Sequence, residues 1–364
     1  MRTPSPRHRD ARRRTSFPVA AALLTVLSIA LCSPSGTAAA ETTRSVGFDF
    51  AYYPGDRQGY GVSPGGFAPV TYTPREPDGG TADGQRVLGT TWGNVEAKGY
   101  FAQSWRWPAL RWSEGALAKD NSILLRATTG VSPISATQEL RVTLTPVAVL
   151  QFTGAVLVGT GWNVRLFDGL GTVDLNSGEV DPASFEGLVL RGVAGATVQF
   201  DLAAVVPGEW NHIVAVVSPQ WTLQHLTGAS NRTPWAFEAD DGTNYNGWEY
   251  RTTAFLGYQP PRGPVATVGI LYEGERLVGA AVDRARDSAP ADFDPAFRTD
   301  RIGLVANLAF GPAGRHSLTI LPQLRRDRLA TDTTIFNAGV QRRETVGGYW
   351  DVYRVALQYR YALE

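Results

Sequence analysis

The chain has a single cysteine, Cys32, and it lies within the first forty residues. Everything after residue 40 is therefore without disulfides, thiol nucleophiles or Cys-ligated metal. Histidine is also scarce. After the first forty residues only His212, His225 and His316 occur, and none sits in a spacing such as H-E-x-x-H, so a metal site finds no support. Lysine is reduced to Lys98 and Lys119. No stretch after residue 40 approaches 18 consecutive apolar residues, which excludes a helical membrane span there but not a spanning strand.

The start of the chain has a different composition. Arg2, Arg7, Arg9, Arg12, Arg13 and Arg14 precede an apolar run from Val19 to Leu31, and small residues follow up to Ala38-Ala39-Ala40. The run is about 13 residues, short for a membrane helix, and the three-part pattern is that of a secretory signal peptide over residues 1–40, cleaved near Ala40. Removing six of the 34 basic and one of the 34 acidic residues leaves 28 against 33, a net charge of about −5. That balance argues against a nucleic-acid partner.

Residues 41–364 read as a single β domain. From Tyr353 onward one alternate set is Tyr353, Val355, Leu357, Tyr359, Tyr361 and Leu363; the other is Arg354, Ala356, Gln358, Arg360, Ala362 and Glu364. A period of two with one apolar face is a strand. The same alternation recurs over 248–258, 301–310, 315–325, 194–204, 212–223, 139–144, 45–52 and 95–102. Short breakers (Val206-Pro207-Gly208, Gln259 to Gly263, Gly311 to Gly314, with Thr145-Pro146 as either a tight turn or a kink within one long strand) alternate with long polar loops at about 54–93, 159–190, 223–245, 285–298 and 326–346. Reading 264–284 as one long strand gives about 12 strands (range 10–14); a hinge at Glu273-Gly274-Glu275, with one other strand also split, would give 14. No helical period stands out.

A soluble sandwich shares the alternation. The apolar faces of five or six residues, the aromatics near strand ends, and polar faces of small and amide residues favour a transmembrane antiparallel up-and-down barrel. With this pattern the chain resembles bacterial outer-membrane β-barrels as a class. The resemblance implies an outer-membrane location, contact with its lipid, and assembly machinery reading the C-terminal strand. In that class the last strand usually ends in an aromatic; here Tyr359 and Tyr361 precede Ala362-Leu363-Glu364.

The expected lumen carries Arg126, Arg141, Arg251, Arg301, Arg315, Arg325, Arg354 and Arg360, with fewer acids: Asp49, Glu96, Glu139, Asp201, Glu249 and Glu273. Either the arginines pair with carboxylates and brace a closed barrel, or they line a passage favouring anions. The expected function is thus a non-enzymatic, porin-like channel for small solutes, anionic ones among them. The alternative is a closed structural or surface-binding barrel acting through its loops. A third reading, a lipid hydrolase, rests on His225. Outer-membrane phospholipases carry a His and a Ser two apart, but the residue two after His225 is Thr227, and Ser230 is five away. The acidic run Glu238, Asp240, Asp241 and Asn244 lacks EF-hand spacing and reads as a solvated loop before a calcium site. No cofactor is expected.

Overall fold

The computed structural model describes residues 40–54, 70–72, 86–88, 95–109, 115, 117–118, 121–164, 167–173, 180–238, 244–288, 294–330 and 345–363. Twelve long strands form the wall: β1 (Glu41–Tyr52), β2 (Val95–Pro108), β3 (Ser122–Ser132), β4 (Ser135–Val147), β5 (Leu150–Gly161), β6 (Val189–Asp201), β7 (Ile213–Leu226), β8 (Gly247–Tyr258), β9 (Val265–Val278), β10 (Thr299–Phe310), β11 (His316–Ala330) and β12 (Thr345–Leu363). Each pairs antiparallel with its chain neighbours, and β1 pairs with β12 from Arg44↔Leu363 to Tyr52↔Val355. The sheet closes and has no free edge.

The expected count of twelve holds because Glu273-Gly274-Glu275 runs straight through β9, paired with Thr253 to Arg251 on β8 without a break. Other expectations are corrected. Of the two readings of Thr145-Pro146, the turn is excluded and the irregularity within one strand holds: β4 runs on to Val147 with a register shift between Leu144 and Val147, and the hairpin closes at Ala148-Val149. A second tight turn, Pro133-Ile134, lies at the same end as the long loops, where Ser132 Oγ and Ser135 Oγ stand 2.7 Å apart. The 264–284 strand stops at Val278, and a helix, α1 (Ala280–Ser288), follows. Gly279 makes the junction with φ +59°, a left-handed conformation that suits glycine. At nine residues, with four Asp or Arg among them, the helix is too short to show a clear apolar period. Short strands also form within loops that had read as wholly irregular, at 163–164, 167–168, 170–173, 180–182 and 235–237.

The outward faces are apolar. Phe48, Leu140, Val156, Val217, Ile270 and Leu304 are each at least 46 % exposed although they lie towards the middle of their strands. Burying a side chain of this kind is worth about 1.5–3 kcal/mol. Over twelve strands such exposure to water would outweigh a typical net stability of about 5–15 kcal/mol, so hydrocarbon is the medium this surface fits. Aromatics gather at its rims. Trp221 packs edge-on against Tyr250 (centroids 5.3 Å) near the long-loop end. At the short-turn end His316 stacks on Phe310 (5.2 Å) and its Nδ1 lies 2.7 Å from the Tyr359 hydroxyl.

Candidate functional site: the barrel interior

The interior contains three arrangements. The first is a chamber of about 400 Å3 against the β1–β5 wall, lined by Asp49, Lys98, Tyr100, Arg126, Thr128, Thr137, Glu139, Arg141, Leu157 and Gln358 among others. Alternation places these side chains, since Lys98 and Tyr100, Arg126 and Thr128, and Glu139 and Arg141 are all two apart along their strands. Most of the charges have partners. Arg141 donates Nε and Nη2 to the two oxygens of Glu139 at 2.9 and 3.1 Å. Gln358 Nε2 donates to Asp49 at 2.9 Å.

The second arrangement fills the opposite wall. Arg251 bonds Glu249 and lies 3.6 Å from Glu275, which also takes Arg301. Arg354 Nε donates to Gln323 Oε1 at 2.7 Å, and Gln323 Nε2 donates to Glu273 Oε2 at 2.6 Å. Tyr353 sits among these groups, 5 % exposed, with the guanidinium carbons of Arg301, Arg325 and Arg354 at 5.2, 5.3 and 5.2 Å from its ring centre. Its ring meets Tyr53 edge-on at 5.4 Å, and Tyr53 donates its hydroxyl to Glu96 at 2.8 Å. Simple alternation placed Tyr353 on the outward apolar face. The ladder shows why it is not there: Gln323 pairs with Arg354 and Leu324 with Val352, so Tyr353 is the extra residue of a bulge, and both Tyr353 and Arg354 turn inward.

The third arrangement is a loop that enters the mouth. Trp235–Phe237, between β7 and β8, pairs with Leu170–Val173, from the loop between β5 and β6. Leu170, Val189, Leu226, Trp235 and Phe237 make a small buried core there, with Arg191 near both aromatic faces (5.9 and 5.8 Å). Asn246 pins the loop. Its Oδ1 accepts from the Leu226 amide (2.8 Å) and from Trp235 Nε1 (3.1 Å), and its Nδ2 donates to the carbonyls of Leu226 and Ala229. Phe237 packs where β5 has Gly159; a Cβ there would lie 2.8 Å from the ring. Glu238 follows with φ +58°, a strained conformation for a residue with a side chain. Its Oε1 takes Lys98 Nζ at 2.7 Å and the Ser135 hydroxyl at 2.8 Å.

The eight candidate arginines thus fall into separate environments. Arg126 and Arg141 face the chamber. Arg251, Arg301, Arg325 and Arg354 belong to the network around Tyr353 and Glu275. Arg360 lies near Tyr100 on an exposed stretch of β12. Arg315 does not lie in a strand; it closes the turn before β11, where its amide donates to the Pro312 carbonyl. Sequence reasoning missed the roles of Glu238, Phe237, Tyr353, Lys98 and Tyr100. Lys98 and Tyr100 share the inward parity of Glu96 and were open to the same reasoning; a loop crossing a barrel leaves no local period.

The remaining motifs behave as loop chemistry. Ser230 Oγ lies 2.7 Å from Thr233 Oγ1 and Thr227 Oγ1 accepts from the Leu188 amide, so neither hydroxyl is paired with His225. Asp240 and Asp241 lie outside the described residues, as do residues 1–39, which include most of the expected signal peptide. Among the described residues no group of three His, Cys, Asp or Glu could hold a metal ion.

A closed antiparallel cylinder, apolar outside and charged within, is the architecture of an outer-membrane β-barrel. No family model and no curated protein matches the sequence. Solved structures aligned to the chain include the outer membrane channel DcaP of Acinetobacter baumannii, at 12% identity over 92% of this chain and 100% of that one with a TM-score of 0.32. OccAB3 of Acinetobacter baumannii aligns at 10% identity over 89% and 99%, with a TM-score of 0.29. Likenesses this distant carry no weight for function.

Proposed function

We propose that this barrel is a passage across the bacterial outer membrane for small solutes, with a preference for anions. The observation that carries the reading is the chamber of about 400 Å3 inside a closed wall, where Lys98, Arg126 and Arg141 face Asp49 and Glu139. A polar cavity within a membrane cylinder admits water and ions, and a guanidinium in it that no carboxylate engages among the described residues, that of Arg126, attracts anions. The long-loop end then faces outward and the short turns face the periplasm. The test is conductance of the refolded protein in planar bilayers. Discrete current steps with anions more permeant than cations are expected; absence of current from a correctly folded barrel would remove the proposal.

One observation favours a second reading. The loop that reaches Lys98 and the ion-pair network around Tyr353 both lie inside the wall, as they would in a sealed barrel working through its outer loops. A barrel that stays silent both as wild type and after removal of the Glu238 carboxylate would be of that kind.

A further inference from the structure

Arg126 stands apart from the other cations of the chamber. Lys98 is held by Glu238, and Arg141 is engaged through two nitrogens by Glu139. Among the described residues Arg126 makes no hydrogen bond and no ion pair, although it is only half-exposed and faces the cavity. It is also placed against a like charge, because Arg126 and Arg141 are directly opposed across the β3–β4 ladder. Like charges facing each other across a sheet repel, and an arrangement with nothing between them is unfavourable. Tyr100, on β2, lines the same cavity and its hydroxyl also has no partner among the described residues. Its ring is seated over Gly47, where any Cβ would lie 2.2 Å from Cζ, so the ring position requires glycine at 47.

We infer that Arg126 and Tyr100 form an oxyanion site, selective for a carboxylate or phosphate group on a solute small enough for the chamber. A planar guanidinium presents two parallel N–H donors that match two oxygens of such a group, and a phenol supplies a third donor. The anion would lie beside the opposed Arg126–Arg141 pair and offset its repulsion. Glu139 shares the cavity but is engaged through both oxygens by Arg141, whereas Asp49 accepts from the neutral Gln358 amide and keeps its charge, which lowers the affinity for an anion without filling the site. This inference deepens the proposed passage by naming its solute chemistry, and it rests on that reading for its biological use.

The test is calorimetric titration of sodium phosphate and, separately, sodium acetate into the refolded barrel in a neutral detergent, with bilayer conductance measured in parallel. Saturable binding of at least one of the two anions is expected. Arg126→Gln should weaken it about tenfold, as for loss of a charge-assisted hydrogen-bonding partner. Arg126→Lys should recover part of it, and Tyr100→Phe should cause a smaller loss. The two titrations separate phosphate from carboxylate as the preferred group. Absence of saturable binding, or equal binding by wild type and Arg126→Gln, overturns the site. Intact binding in a barrel that carries no current would instead overturn the channel and leave the site standing.

Discussion

Glu238 and Lys98 form an ion pair at 2.7 Å although Lys98 lies on β2 and Glu238 on the loop leading into β8, six strands away in either direction round the wall. The contact therefore crosses the lumen. Its side chains are only 19 and 20 % exposed, so solvent screens it less than a surface pair. Glu238→Gln should free the loop tip and raise single-channel conductance, while lowering stability by about 1–3 kcal/mol, because the shielded Lys98 ammonium loses its carboxylate. Unchanged conductance in a folded variant would show that the crossing does not obstruct the path.

Gly159 tests the same loop from the wall. A methyl group at this position meets Phe237 Cζ at 2.8 Å and Thr137 Cγ2 at 3.1 Å, and the ring must move. Gly159→Ala should undock the loop and expose residues near Phe237 to proteolysis. Gly154→Ala is the control, because a Cβ there meets only the Val193 carbonyl at 4.0 Å. Equal protease resistance in the two variants would mean that the loop does not depend on this seat.

Much of the wall was legible in the sequence because the membrane imposes one simple rule on every strand. Phe48, Leu256 and Leu304 face outward as alternation requires, and the pairing of β8 with β9 through Glu273-Gly274-Glu275 left no room for two further strands. Alternation fails where a bulge inserts one residue, and Tyr353 was misplaced for that reason alone. It is silent about the interior. Arg126 and Arg354 have the same parity signal, yet one is unpartnered in the chamber and the other is bonded to Gln323. What separates them is which strands the closed cylinder brings face to face, and that is a property of the whole ring.

Tyr353 is the centre of the charged wall, and its aromatic face accounts for the position. Three guanidinium groups within about 5.3 Å need either carboxylates or a π face to lie against. Tyr353→Ala should lower stability by about 3–5 kcal/mol, combining a large cavity with loss of the cation–π contacts. Tyr353→Phe keeps the ring and should cost much less. Urea midpoints of refolded protein in detergent measure both; equal losses would assign the role to the hydroxyl.

Asn246 joins the mouth of the barrel to its outer helix. Its side chain bonds the backbone of Leu226 and Ala229 and the Trp235 indole, while its own carbonyl accepts from Arg284 Nη1 of α1 at 2.8 Å. Asn246→Ala would leave the Leu226 amide and the buried indole N–H without acceptors, at about 1–3 kcal/mol for each buried group. The barrel wall should persist, since its ladder does not involve this side chain. The expected result is an unchanged far-ultraviolet β signal, with tryptophan emission shifted to longer wavelength as Trp235 is released. A wild-type emission spectrum would contradict the pinning role.

The placement in hydrocarbon can be tested at one side chain. Leu304 is 63 % exposed in the middle of β10, flanked along the ladder by Ile270 and, on its own face, by Ile302. In water, replacing an exposed leucine by arginine would be neutral or would improve solubility. In a bilayer, arginine near the midplane costs about 2–4 kcal/mol, and the cost falls toward the interfaces. Leu304→Arg should therefore lower folding efficiency into lipid vesicles, whereas an arginine at exposed Phe310, near the short-turn rim, should be tolerated better. Equal folding of both variants and the wild type would mean that the apolar belt meets something other than lipid, and the argument from the outward faces would fail with it.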